Sequence, residues 1–400
     1  MAAVPSFPPQ VAAPVPTDAA AVEDALRAPF DARREAYTVG VEEELMLLEL
    51  GSLDLAPVAE DVLAALDGDG RFRPELPAAQ LEIVTPVCRT AGEIRAALLG
   101  ARRDLASATA GWTLLAGAGT HPCAPAEGPT SPGARYDEIA HEYQWAARRG
   151  LAWGLHVHVA VPGSARALVV HDALRSHLPE LAALAGNAPF HEGRDTGLHS
   201  VRPKLAEGFP RQGIPPAFGS WAQLAELVAW GRRGGAFPDP SHLWWEVRLH
   251  ARLGTLEVRV CDQPATAGEA AALAATVQAL CAWLAARHDA GEELPVVRRE
   301  LIEENRWRAL RHGLAGDLLD LRTGEPEPAR ERVGRLLAAL EPEAARLGSG
   351  KAFAGTWDLL ERTGSDNQRA AAAAAWANGR DGARSALEHL VGRLEDEAAG

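Results

Sequence analysis

Val39-Gly40-Val41-Glu42-Glu43-Glu44-Leu45 is the most informative stretch of this 400-residue sequence. Side chains alternate between the two faces of a β-strand, so residues i and i+2 share a face. In a strand over this stretch, Glu42 and Glu44 point one way, while Val41, Glu43 and Leu45 point the other way. The stretch therefore predicts a strand with one acidic face and one mostly apolar face.

Three other short stretches show the same alternation: Leu81-Glu82-Ile83-Val84, His156-Val157-His158-Val159 and Leu256-Glu257-Val258-Arg259. Each places carboxylate, imidazole or guanidinium groups on one face of a strand. A solvated outer face would also be polar, but it would carry a mixture of Thr, Ser, Lys and Gln. Glutamate is poorly suited to β structure, so its recurrence indicates a function.

Metal binding is the function that this pattern favours. Clustered carboxylates repel one another unless cations compensate them. Oxygen ligands with one or two imidazoles suit Mg²⁺ or Mn²⁺, and Mg²⁺ completes its octahedron with water and substrate phosphates. Arg259, beside Glu257, would supply the positive charge that a transferring phosphoryl group needs. His158 shares a face with His156 and is either a second imidazole ligand or a hydrogen-bonding neighbour.

The order of segments predicts the fold class and the domains. Strand-like and helix-like segments are interleaved from Thr38 onward, without regular βαβ alternation and without a GxGxxG motif after a strand. We therefore expect an α+β fold with an antiparallel sheet rather than a Rossmann fold. Residues 1–36 are rich in proline and alanine and are expected to form a disordered tail. Residues 37–360 are expected to form the main domain, and residues 361–400 a helical extension.

Composition limits the partners and the compartment. The chain has 54 acidic and 40 basic residues and a formal net charge of -14, which disfavours binding to nucleic acid or anionic membrane. Its four cysteines include no CxxC pair, which indicates a reducing compartment. A secretory signal is not expected, and the apolar residues 270–286 are expected to form a buried helix. We expect a cytoplasmic protein with small-molecule substrates. The sequence does not decide whether it forms a homo-oligomer.

Eight short motifs follow one another along the chain, from about residue 38 to about residue 311. They are VGVEEEL (39–45), LEIVTPVC (81–88), GTHP (119–122), GLHVHVAVP (154–162), NAPFHEGRDTGLHSVRP (187–203), WWEVRLH (244–250), GTLEVRVCD (254–262) and ENRWRALRHG (304–313). Each motif is weak alone, but together and in this order they are specific. The chain resembles the type 2 glutamate–cysteine ligases, or carboxylate–amine ligases, of the glutamine-synthetase-like superfamily.

This resemblance implies a twisted antiparallel sheet that forms a funnel, with helices on its outer face and ATP and divalent ions against its polar face. By resemblance the metal ligands are Glu42, Glu44, Glu82, His156 and Glu257, for two or more ions. Arg259 matches the arginine that faces the transferred phosphate, and it is assigned to catalysis together with Glu82. Four residues are assigned to binding of substrate or ATP: Arg202, Arg248, Asn305 and Arg306.

The implied activity is an ATP- and Mg²⁺-dependent ligation. The glutamate side-chain carboxylate would be activated as an acyl phosphate and joined to an amine such as that of cysteine, with release of ADP. A different acid or amine is the main alternative. A metal-dependent hydrolase is a second alternative, although carboxylates outnumber histidines and no HExxH motif is present. A relative retained as a binding or regulatory protein is a third alternative, against which the intact ligand set argues.

Overall fold

One seven-stranded antiparallel sheet organises the part of the chain that the computed structural model describes, residues 18–32 and 35–399. Its strands run in the order β2-β3-β1-β5-β9-β8, and β4 pairs with the carboxyl-terminal half of β1. Two further pairs, β6 with β7 and β10 with β11, form small two-stranded sheets. The strands are β1 (Val39–Glu49), β2 (Phe72–Pro74), β3 (Gln80–Val84), β4 (Thr113–Ala116), β5 (Gly154–Val159), β6 (Phe190–His191), β7 (Arg194–Asp195), β8 (Val247–His250), β9 (Thr255–Asp262), β10 (Asp317–Leu319) and β11 (Pro326–Pro328). The predicted α+β class and antiparallel sheet are confirmed.

Helices surround this sheet, and some of them cover its apolar face. They are α1 (Ala19–Asp31), α2 (Ala59–Ala65), α3 (Ala91–Ala108), α4 (Ala134–Tyr143), α5 (Trp145–Arg148), α6 (Ser164–Leu174), α7 (Leu178–Leu184), α8 (Arg202–Ala206), α9 (Trp221–Arg233), α10 (Ala267–Asp289), α11 (Arg299–His312), α12 (Ala329–Arg346), α13 (Gly350–Phe353), α14 (Gly355–Glu361), α15 (Gly364–Trp376) and α16 (Gly382–Ala399). Short 3-10 helices occur at Arg175–His177, Pro240–His242 and Gly313–Ala315.

The central helix α10 begins at a capping box, in which Thr266 and Glu269 bond each other's backbone N–H groups. It packs against α3, α6 and α12. α10 is long and apolar enough to span a membrane, but 83% of its most apolar window is buried inside the protein. The predicted buried helix is therefore confirmed.

The alternation of β1 separates the core from the polar face. Val41 and Leu45 are buried in the main apolar core, which also contains Ile94 and Leu98 of α3. The other face of β1 is acidic at Glu42 and Glu44 and then becomes apolar at Met46 and Leu48. Leu387, Leu390 and Val391 of α16 pack with Met46 and Leu48, in a second buried cluster. The helix α16 therefore marks the limit of the polar face, and α15 packs against α16.

The predicted disordered tail is wrong over α1. Val22, Leu26 and Phe30 follow one another at intervals of four residues, and all three are buried. This spacing is that of a helix with one apolar side. The Phe30 ring lies 5.2 Å from that of Trp221 in α9. Residues 1–17 and 33–34 of the predicted tail lie outside the described residues.

A buried ion pair links β1 to α3 on the side of the sheet opposite the polar face. Glu43 points away from the polar face and is fully buried. Arg102 of α3 donates two hydrogen bonds to its carboxylate, at 2.8 and 2.7 Å, and Gln263 donates a third at 3.1 Å. Glu43 is thus a structural residue between two predicted metal ligands.

We expect Arg102→Ala to lower the free energy of unfolding by about 3–5 kcal/mol, because it leaves the Glu43 carboxylate buried without its cation. Urea titration measures this change. Arg27→Ala is the matched control, since Arg27 forms an ion pair with Glu23 on the protein surface, and its loss should cost less than about 1 kcal/mol. Equal losses in the two variants would contradict this account of the buried pair.

Candidate active site

Strand register brings the predicted metal ligands together. Glu42 lies opposite His156 across β1 and β5, and Glu44 lies opposite Glu82 across β1 and β3. Glu257 lies on β9, the strand that pairs with β5 on its other side. Directly opposed residues in an antiparallel pair share a face. The five predicted ligands therefore meet on the polar face of the sheet.

Their donor atoms form two groups of three. One group is Glu42, His156 and Glu257, and the other is Glu44, Glu82 and His156; within each group the donor atoms lie within 4.8 Å of one another. His156 belongs to both groups. Four carboxylates and one imidazole form a hard, oxygen-rich donor set. This set fits the predicted Mg²⁺ or Mn²⁺.

The electrostatics of the second group indicate a site that favours a cation. Burial, together with the charge of Glu75, raises the pKa of Glu44 to about 8. Burial, together with the charges of Glu42 and its acidic neighbours, raises the pKa of Glu82 well above its ordinary value. These carboxylates repel one another, and a bound divalent ion would relieve that repulsion.

Histidines stabilise the charge of Glu42. Although burial raises its pKa, His156 and His158 together lower the pKa well below its ordinary value. The Glu42 carboxylate lies 3.2 Å from Nδ1 of His156 and 3.3 Å from Nε2 of His158. Nδ1 of His158 lies 3.0 Å from the Thr255 hydroxyl. His158 belongs to neither ligand group of the described residues, which favours the hydrogen-bonding alternative for it.

Glu257 is held by two arginines. Arg248 donates to both of its carboxylate oxygens, and Arg259 donates to one of them. Burial raises the pKa of Glu257, but Arg248 and Arg259 outweigh burial and keep the pKa far below its ordinary value. A predicted metal ligand and two predicted anion-binding residues thus form one charged cluster.

A cavity opens over this face. It encloses about 990 Å³, including open solvent at its mouth, and Glu44, His156 and Arg259 lie at its sheet side. Phe209 and Trp244 contribute an aromatic wall, with their ring centroids 5.5 Å apart. The cavity therefore combines a charged floor with an aromatic wall.

Arg202 also lines the cavity. Its Nε donates to Asp262 at 2.7 Å, and its Nη2 donates to the Val260 carbonyl at 2.7 Å. These bonds orient the guanidinium from the end of β9. The predicted role of Arg202 in anion binding stays a prediction.

The two predicted residues of α11 have different surroundings. Arg306 lines the cavity and forms ion pairs with Glu246 at 2.7 Å and with Glu207 at 2.6 Å. Asn305 is not among the described residues that line the cavity. Its amide donates to the Leu319 carbonyl at 2.8 Å and accepts from the Leu319 N–H at 2.7 Å. These bonds make Asn305 a link between α11 and β10.

Sequence reasoning missed several residues of the cavity. Glu75 lies in the loop between β2 and β3, and Arg135 and Tyr136 lie in the first turn of α4. No periodic pattern marks a loop residue such as Glu75, and nothing in the sequence relates the first turn of α4 to the polar face of the sheet. Glu246 also lines the cavity, and it did have a signal, because it precedes Arg248 by two residues and therefore shares its face.

Comparison with known sequences gives a match over most of the chain. Residues 38–390 match the family described as glutamate–cysteine ligase family 2. A protein of Rubrobacter xylanophilus, provisionally named glutamate–cysteine ligase 2-3, is 42% identical over 342 residues. That alignment covers 84% of this chain and 92% of the relative.

Solved structures share the fold at low sequence identity. Glutamate–cysteine ligase of Francisella tularensis, crystallised with AMP, has a TM-score of 0.64 at 13% identity, over 92% of this chain and 94% of that chain. The ligase PafA, in complex with the ubiquitin-like protein Pup, has a TM-score of 0.50 at 14% identity, over 89% of this chain and 72% of that chain. The chain therefore shares the fold of these two ligases. By the family match and the identity to its relatives, this chain belongs to glutamate–cysteine ligase family 2.

Proposed function

We propose that this ATP-dependent ligase of the glutamate–cysteine ligase type activates the side-chain carboxylate of glutamate and joins it to an amine. The observation that carries the proposal is the pair of ligand groups that share His156 next to Arg259, at the sheet side of the cavity. Divalent ions held there by Glu42, Glu44, Glu82, His156 and Glu257 would neutralise the phosphate charges of ATP.

The proposed reaction has two steps. A carboxylate oxygen of glutamate attacks the γ-phosphorus of ATP, the bond to the ADP oxygen breaks, and an acyl phosphate forms. The amine nitrogen then attacks the acyl carbon, loses one proton, and displaces phosphate to leave an amide. Phosphoryl transfer depends on positioning and charge neutralisation rather than on covalent help from the protein. Arg259 would stabilise the transferring group, and Arg202 would hold an anionic part of a substrate.

Amine-dependent ADP release tests this function. The purified protein is incubated with Mg²⁺, ATP, glutamate and a panel of amines that includes cysteine. We expect ADP and an amide in equal amounts. With glutamate labelled with ¹⁸O in its carboxylates, one labelled oxygen should appear in the released phosphate. Absence of amine-dependent ADP release across a broad panel of acids and amines would contradict the proposal, and unlabelled phosphate would contradict the acyl phosphate step.

A different amine is the second candidate for the acceptor. The rings of Phe209 and Trp244 and the side chain of Ile139 line the cavity, and this apolar wall would suit an acceptor with an aromatic body. The amine panel therefore includes 2-phenylethylamine beside cysteine. A higher kcat/KM for 2-phenylethylamine than for cysteine would support this candidate.

A further inference from the structure

Glu246 is a charged residue of the cavity that the ligand set above does not use. Val247 lies opposite Val258 in the pairing of β8 with β9, so the preceding Glu246 lies beside Arg259. The Arg259 N–H donates to the Glu246 carbonyl at 2.8 Å, and the Glu246 N–H donates to the Gly213 carbonyl at 2.9 Å. The backbone thus holds the Glu246 side chain on the polar face, next to the arginine that we assign to the phosphoryl group.

One oxygen of this carboxylate lacks a partner. The Glu246 side chain is 8% exposed, and Nε and Nη2 of Arg306 both approach its Oε1 at 2.7 Å. Its Oε2 is buried and has no hydrogen-bond partner among the described residues. Arg306 is also shared with Glu207, at 2.6 Å, so it does not serve Glu246 alone. A buried carboxylate oxygen without a donor is costly, and a ligand that brings a donor would remove that cost.

The surroundings of the free Oε2 limit the kinds of chemical group that can donate to it. A phosphate or a carboxylate would be repelled by Glu246. Neither of the two metal-ligand groups of the described residues includes Glu246. A positively charged N–H donor both compensates the negative charge of Glu246 and donates a hydrogen bond to its free oxygen. The apolar side chains of Phe209 and Trp244 line the same cavity and would contact the body of the substrate.

We propose that Glu246 is a specificity-determining residue that binds a primary ammonium group of a substrate beside Arg259. This inference rests on the ligase function proposed above. The ammonium has two possible sources: the α-ammonium of the amino acid that is activated, or the protonated amine of the acceptor. Both sources require the same carboxylate.

The test compares Glu246→Gln with Glu207→Gln. Glutamine keeps the size of the side chain and can still accept a hydrogen bond from Arg306, but it removes the negative charge. We expect Glu246→Gln to raise the KM of the ammonium-bearing substrate about 10–100-fold and to leave the KM of ATP unchanged. Glu207→Gln also removes one ion pair of Arg306, and Glu207 is not among the described residues that line the cavity. This control should behave as wild type in all these constants.

Two arms of the experiment distinguish the sources. Glutarate is glutamate without its ammonium, so loss of the preference for glutamate over glutarate in Glu246→Gln identifies the α-ammonium as the ligand. An increased KM for cysteine or 2-phenylethylamine, with the preference for glutamate intact, identifies the acceptor. Either result supports the proposal. Equal effects of Glu246→Gln and Glu207→Gln on every constant would overturn it.

A binding measurement separates this proposal from the proposed function. Calorimetric titration of wild type and both variants with glutamate, glutarate, cysteine and 2-phenylethylamine, in the presence of ADP and Mg²⁺, requires no turnover. We expect one ammonium-bearing ligand to lose affinity in Glu246→Gln alone. If wild type binds that ligand but releases no ADP from ATP, the proposed function fails while the ammonium site stands. If no ammonium-bearing ligand binds Glu246→Gln more weakly than Glu207→Gln, the ammonium site fails.

Discussion

Arg259→Ala is expected to lower kcat on the order of 10³-fold with little change in the stability of the protein. Arg259 lines the cavity beside the ligand groups, so its guanidinium is placed to offset charge that develops on a transferring phosphoryl group. Glu257 keeps its ion pair with Arg248 in this variant and is not left without a cation. A steady-state assay of amine-dependent ADP release measures the change in kcat.

Arg252→Ala is the matched control for this prediction. Arg252 lies in the exposed turn between β8 and β9, on the same hairpin as Arg259 but away from the cavity. The same substitution at that position should leave kcat within about twofold of wild type, as is usual for surface changes. A kcat of Arg259→Ala close to that of the control would contradict the role of Arg259.

Glu82→Gln is expected to have the second large effect, a loss of activity on the order of 10³-fold at low millimolar Mg²⁺, because it removes one of the ligands of the second metal group. Activity should recover in part at high Mg²⁺ or with Mn²⁺, since the loss arises from weaker ion binding. A titration of activity against the concentration of the metal ion checks this result.

The same substitution has an opposite effect on the metal-free protein. The raised pKa values of Glu44 and Glu82 report a buried charge cluster that is unfavourable without a cation. Glu82→Gln replaces one of these carboxyl groups with a neutral amide that does not carry this cost, so we expect the metal-free variant to melt at a higher temperature than wild type and to gain less from added Mg²⁺. Glu49→Gln, at the exposed end of β1, should change neither property. A Glu82 variant that melts lower than wild type without metal would contradict this explanation.

The alternation of strand residues predicts the central face well. Period-two spacing places Glu42 with Glu44 and Glu257 with Arg259, and it separates Glu43, which is buried behind the sheet. These relations depend only on the geometry of a strand. The antiparallel register brings these strands side by side. The alternation within each strand therefore predicts most of the polar face.

The remaining features depend on contacts that no local pattern encodes. Glu75 reaches the cavity from a loop, and Asn305 bonds the Leu319 backbone although its neighbour Arg306 lines the cavity. The helix α1 has a clear apolar spacing, but a composition rich in proline and alanine obscures it. Packing across the whole domain determines the conformation of a loop and decides which of two adjacent helix residues lines the cavity.

Counting bound Mn²⁺ is the most direct test of the central claim that the polar face of the sheet holds the ions that serve ATP. Equilibrium titration is performed with a non-hydrolysable ATP analogue, so it requires no knowledge of the acid or the amine. We predict at least two ions per chain in wild type, and one fewer tightly bound ion in both Glu44→Gln and Glu257→Gln, because each variant alters a different ligand group. An absence of Mn²⁺ binding to wild type, or variants that bind as many ions as wild type with the same affinity, would contradict the claim.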